Sequence, residues 1–217
     1  TLITRPRRFG KSLTLSMLQH FLTSEVSGNE TKGLFDGLKI SAHPEIMKDQ
    51  GKYPVIFLKL KEVKGRNFEE MYGVIKRSIK DLYEAHHYLL ASGSMLPHQK
   101  QLFEKFLQEE ASKDNYKASL HFLSQLLYQY TGKKVYLLLD EYDTPVHDAY
   151  VNDYYEELRG FLAAMLGKTF KGNNFLERGL ITGILKVAKS SLFSELNNVK
   201  VYTIMDDARY SQYFGFT

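Results

Sequence analysis

The chain has 217 residues, 43% of them hydrophobic, and a net charge of +4 from 29 basic and 25 acidic side chains. That is enough apolar material for one sizeable core, so a single domain is expected, and with no cysteine a disulfide framework and thiolate metal sites are excluded. No apolar run approaches the length of a membrane span, and the charge is too balanced for a protein that wraps DNA.

The first element is the end of a short buried strand at Leu2-Ile3. It runs into Thr4-Arg5-Pro6-Arg7-Arg8-Phe9-Gly10-Lys11-Ser12 and then a helical pattern of Leu13, Leu15, Leu18, Phe21 and Leu22. Gly-Lys-Ser opening a helix is the second half of a phosphate-binding loop. Backbone N–H groups cradle the phosphates, the lysine reaches the β and γ oxygens, and the hydroxyl ligates Mg²⁺. The helix dipole favours the same anion. The full pattern asks for glycine where Arg5 stands, so an ordinary strand–turn–helix with a basic turn stays open at this point. The cluster Arg5, Arg7, Arg8 and Lys11 suits nucleotide phosphates first and nucleic acid second.

The run from Tyr53 to Leu60 reads as a second strand, with Pro54 at its start where a missing N–H is tolerated. A long helix is expected from Asn67 to about Leu90, another from Leu102 to Glu110, and a third from Asn115, its cap, to Tyr130 before Gly132. These exceed one crossover, so residues 67–131 are expected to form a helical insertion beside the sheet and a candidate partner surface. Aromatic residues there, such as Tyr83, Tyr88, Phe103 and Phe106, read as helix packing. The adjacent His86-His87 lacks the i, i+4 spacing of helical metal ligands. Glu62-Val63-Lys64 with Asp49 upstream loosely imitates a nuclease pattern and is discounted as chance in a lysine-rich chain.

Lys134 to Leu139 is a continuous apolar run ending in Asp140-Glu141, as expected of a central parallel strand covered on both faces. Acidic residues at its carboxyl end lie on the rim where α/β folds bind ligands. Asp140 can hold Mg²⁺ and Glu141 can orient or deprotonate an attacking water. A helix from Asp148 to Leu166, a basic turn over residues 168–174, a strand from Leu180 to Ile184, a helix from Lys186 to Leu196 and a last strand from Val199 to Ile204 follow. Alternating strands and helices predict an α/β fold. Thr182 is a candidate polar sensor beside the acidic strand, and Arg178 and Arg209 are candidate charge stabilisers.

The segments Ile3–Ser12, Leu137–Asp143, Thr182–Lys186, Leu196–Val199 and Tyr210–Thr217 together resemble the AAA-ATPase-like family of bacterial P-loop ATPases. Ser190, Ser191 and Asn198 match that pattern too, without an evident chemical role. The resemblance implies that arginine at position 5 is the family's habit. It also implies a P-loop NTPase three-layer sandwich with a mostly parallel five-stranded sheet of the additional-strand, AAA-like kind. A nuclease-like domain often follows in this family, so nucleic acid could enter through such a domain. The chain is accordingly expected to be one ATPase core, 1–217, truncated at both ends, since it starts at Thr1 with most of the first strand upstream.

Residues and resemblance together assign nucleotide binding to Arg7, Arg8, Phe9, Gly10, Lys11, Ser12 and Leu13, Mg²⁺ to Ser12 and Asp140, and catalysis to Lys11, Glu141 and Thr182. The residues specify a nucleoside triphosphate; the resemblance specifies ATP. The expected function is Mg²⁺-dependent ATP binding and hydrolysis in a cytoplasmic, non-membrane protein, with a second copy or another protein as candidate partner. Two alternatives stay open: a nucleotide-gated interaction switch with little turnover, and a P-loop phosphotransferase, for which no acceptor pocket is legible.

Overall fold

A computed structural model of the chain describes residues 1–184 and 199–203. In chain order, strand β1 (Leu2–Thr4) leads through the basic loop to helix α1 (Lys11–Leu22). A small hairpin, β2 (Glu25–Val26) and β3 (Asn29–Glu30), a 3₁₀ turn at Lys39–Ala42 and helix α2 (Pro44–Met47) precede β4 (Val55–Lys59). Helices α3 (Phe68–Glu84), α4 (Tyr88–Ala91), α5 (Pro97–Leu107) and α6 (Lys113–Thr131) separate β4 from β5 (Val135–Asp140). Then come α7 (Asp143–Val151), α8 (Tyr155–Phe170), β6 (Leu176–Gly183) and β7 (Val201–Tyr202).

The main sheet has five strands in the order β4-β5-β6-β1-β7, and every neighbouring pair is parallel. This is an α/β fold of the P-loop NTPase kind, with β6 inserted between the strand that feeds the basic loop and the strand that ends in Asp140. Register sets the rim: Lys59 lies opposite Asp140, Leu139 opposite Ile181, and Thr4 opposite Gly183. The carboxyl ends of four strands therefore arrive together at one edge of the sheet.

Side chains alternate across a strand, and β5 is buried on both sides. Leu138 packs with Leu15, Phe21 and Leu22 of α1, whereas Leu137 and Leu139 join the larger cluster with α3, α6, α7 and α8. The result is three layers. The helices between residues 67 and 131 share this larger cluster with β4 and β5: α3 packs on β4, α6 on β5 and α8, and α5 on α3. Tyr83, Phe103, Phe106 and Tyr116 are fully buried there, and the Tyr83 hydroxyl donates to Ser119 O at 2.8 Å. Each such ring contributes roughly 1.5–3 kcal/mol by burial.

Several boundaries differ from the sequence reading. The long helix stops at Glu84, and α4 starts separately at Tyr88. The cap of α6 is Ser112, whose Oγ accepts from the Asn115 N–H at 3.2 Å; both residue types cap helices, and the earlier one has the extended backbone a cap needs. Gly132 ends α6 at φ 68, as expected of a left-handed C-terminal stop. The single helix expected over 148–166 is two, α7 and α8, parted at residues 152–154 where Asp153 takes φ 59. The expected helix over 186–196, Ser190, Ser191, Asn198, Arg209 and the motif at 210–217 lie outside the described residues.

Candidate functional site

The loop from Arg5 to Gly10 joins the end of β1 to the start of α1. Arg5 extends the β1–β6 ladder, its N–H donating to Gly183 O at 3.1 Å, and its guanidinium is buried with Nη1 donating to Thr4 O at 3.0 Å. Arg8 at φ 67 and Gly10 at φ 72 put left-handed residues into the loop. Left-handed turns of this kind curl a backbone into an anion-binding concavity. Helix α1 begins at Lys11 with no side-chain cap and no acidic residue in its first turn. Its first N–H groups and the positive end of its dipole are thus left for an external anion.

Lys11 is only 6% exposed. Its ammonium donates to Arg5 O at 2.9 Å and Pro6 O at 2.8 Å. An ammonium has three protons, so these two carbonyls aim the group across the loop and leave the third for a ligand. Burial pushes the Lys11 pKa down, the carboxylates of Asp143, Glu141 and Asp140 pull it back up, and nearby Arg7 adds to the lowering.

Asp140 ends β5 and is 4% exposed. Its Oδ1 accepts from the Thr182 hydroxyl at 2.6 Å, and Thr182 is wholly buried. Neither Asp140 nor Thr182 lines the adjoining cleft. Glu141 lines the cleft itself, with backbone φ 54. A non-glycine residue there costs of order 1–3 kcal/mol. It is held by Thr144, whose N–H donates to Glu141 O at 3.1 Å and whose Oγ1 lies 3.4 Å from Glu141 Oε2. The kink turns the chain from β5 into α7.

Asp143, the first residue of α7, was given no role in the sequence reading. It is 4% exposed, and its Oδ2 accepts from the Ile184 N–H at 2.8 Å, tying α7 to the end of β6. The signal available was an acidic residue opening a helix directly after the acidic strand end. The fit is close: a Cβ on Gly183 would come within 2.6 Å of Tyr142 Cε1 and 2.7 Å of Asp143 Oδ1. Gly183→Ala is therefore expected to destabilise the fold by about 1–3 kcal/mol, read as a lower denaturation midpoint in urea. An unchanged midpoint would mean that Tyr142 and Asp143 move aside freely.

These elements enclose a cleft of ≈ 1100 Å³. Arg7, Arg8, Phe9, Gly10, Lys11, Ser12 and Leu13 all line it, as do Glu141, Asp143, Thr144 and His147. The far wall carries Lys61 and, from the pattern discounted as a nuclease imitation, Glu62 and Lys64; Asp49 does not line the cleft. Arg178 is paired in register with Tyr136, toward the other end of β5, and does not line it either.

A model of the AAA-ATPase-like family, described as predicted AAA-ATPases, matches residues 1–193. The chain belongs to this family. An uncharacterized protein in the vnfD 5' region of Azotobacter chroococcum mcd 1 is 27% identical over 216 residues, 99% of the chain. The AAA-ATPase-like chain spans 36% of that protein's length. No solved structure matches. Among the described residues of this AAA-ATPase-like chain, no helix is long and apolar enough to cross a membrane, and no cluster of three or more His, Cys, Asp or Glu side chains could by itself hold a metal ion.

Proposed function

We propose that the cleft binds ATP with Mg²⁺ and hydrolyses it. The observation that carries this reading is the Lys11 ammonium, aimed by two carbonyls across an uncapped helix N-terminus and sharing one cleft with Glu141. Backbone N–H groups of residues 7–12 would hold the β-phosphate, and the third Lys11 proton would reach between β and γ oxygens. Leu13, 66% exposed at the rim, offers an apolar surface to the rest of the nucleotide.

The residues present fit Mg²⁺ in the way that ion is usually held, by one or two protein oxygens with phosphates and water completing an octahedron. Ser12 at the start of α1 and Asp140 at the end of β5 would supply the protein oxygens. Bound there, the ion neutralises phosphate charge. Thr182, bonded to Asp140 Oδ1, fixes that carboxylate, so that the second oxygen is the one that would hold the ion. This makes Thr182 a positioning residue rather than a contact to the attacking water. Glu141 accepts a proton from water held in line with the terminal phosphate.

Calorimetric titration with ATP and with GTP, each with Mg²⁺ and with excess chelator, tests the reading. Saturable binding of ATP that weakens without Mg²⁺ is expected, together with release of inorganic phosphate. Absence of binding by either nucleotide to the folded chain would remove the site assignment.

A further inference from the structure

The segment between β4 and α3 is clamped rather than loose. Leu60 N–H donates to Asp140 O at 3.0 Å, and Val63, 1% exposed, donates through its N–H to Leu60 O at 3.1 Å. Gly65 N–H donates to Asp148 Oδ2 at 2.9 Å, while the Tyr154 hydroxyl lies 2.6 Å from Gly65 O and 2.9 Å from the same Asp148 oxygen. A Cβ on Gly65 would meet Met71 N at 2.4 Å, so the segment is pressed onto the start of α3. One end of this bracket is thus fastened to the carboxylate strand and the other to α7.

Its position follows from strand order. The ends of β4 and β1 are separated by β5 and β6. Three inter-strand spacings of about 4.8 Å put the two walls roughly 14 Å apart. The floor between them ends in Asp140-Glu141 on one strand and Thr182-Gly183 on the other. With Val63 buried, Lys61 and Lys64 are exposed on the far wall of the cleft. On the near wall Lys11, Arg7 and Arg8 supply positive charge. Glu62 stands between those two lysines on the far wall, and the strand ends and α7 contribute the carboxylates of Glu141, Asp143 and Asp148, with Asp140 just behind them. Charge spreading over a transferring phosphoryl group must be neutralised from the side away from the loop, and those carboxylates oppose it.

Resting on the ATP reading above, the geometry points to Lys61 and Lys64 as the cations that neutralise the transferring phosphoryl group in cis, completing the site within one chain. Water attacks the γ-phosphorus, the bond to the β–γ bridging oxygen breaks, ADP leaves, and the water proton goes to Glu141. The lysines stay protonated throughout. No arginine from a second subunit is required.

The test compares the wild-type chain with Lys61→Ala/Lys64→Ala, the corresponding double arginine variant, and Lys133→Ala as a charge control. Lys133 precedes β5 and so lies at the opposite end of the sheet. Mg·ATP affinity, kcat, and turnover per chain over a hundredfold range of protein concentration are measured. We expect kcat to fall about a hundredfold in the double alanine variant, with affinity kept within about tenfold. The arginine pair should restore most of the rate, Lys133→Ala should match wild type, and turnover per chain should not depend on concentration. Wild-type kcat in the double alanine variant, or turnover that rises with concentration regardless of these lysines, overturns the inference while leaving the nucleotide site standing. A wild-type chain that binds no Mg·ATP, or binds it without turnover at any concentration, overturns the hydrolysis reading and this inference with it.

Discussion

Lys11→Ala is expected to weaken Mg·ATP binding by about a hundredfold. The ammonium is held by Arg5 O and Pro6 O and has one proton left for phosphate. A charge-assisted hydrogen bond contributes about 1.5–3 kcal/mol, and one such bond plus the buried positive charge gives roughly 3 kcal/mol, or two decades in Kd. The substitution also removes a cation that offsets the carboxylates of Asp143, Glu141 and Asp140, so their mutual repulsion rises. Two backbone carbonyls lose their donor as well. A thermal melt beside the calorimetry separates these losses from a loss of binding. If the variant stays folded and binds Mg·ATP as the wild type does, the phosphates sit elsewhere.

Glu141→Gln is expected to leave Mg·ATP affinity close to wild type and to lower kcat by a factor of about 10²–10⁴, the usual contribution of a positioned general base. Glutamine keeps the length of the side chain and the contact with Thr144 Oγ1, but it cannot accept the proton of an attacking water. The left-handed backbone at φ 54 comes from the turn into α7 and does not depend on the carboxylate. Single-turnover phosphate release and equilibrium binding, measured on the same preparation, decide the matter. Turnover at the wild-type rate would exclude Glu141 as the base. Tight binding with negligible turnover in the wild-type chain itself would instead favour a nucleotide-gated switch.

Much of this site is legible in sequence because it is local. Gly10-Lys11-Ser12 carries its own helix start, and the run into Asp140-Glu141 carries its own strand. The apolar continuity of residues 135–139 also announces a strand covered on both sides. Helix ends are harder: Ser112 and Asn115 can each cap α6, and only the extended backbone at Ser112 selects it. The break between α7 and α8 has no proline or glycine to mark it; Asn152-Asp153-Tyr154 makes the turn through a left-handed aspartate. Arg178 is a candidate charge stabiliser in sequence, but it pairs in register with Tyr136, and at about 3.3 Å per strand residue it lies well back from the rim.

By itself, then, the sequence determined which segments bring the Gly-Lys-Ser loop and the acidic strand end, and that strands and helices alternate along the chain. Only the tertiary structure decided what meets what. The Thr182–Asp140 hydrogen bond spans 42 residues, Ile184–Asp143 spans 41, and Gly65–Asp148 spans 83. Each depends on strand order and register, which arise from pairing between distant segments and leave no periodic trace along the chain. That is why Asp143 carries no role in the sequence reading, and why Lys64, part of a pattern discounted as chance, stands in the cleft with its neighbour Lys61 and with Lys11.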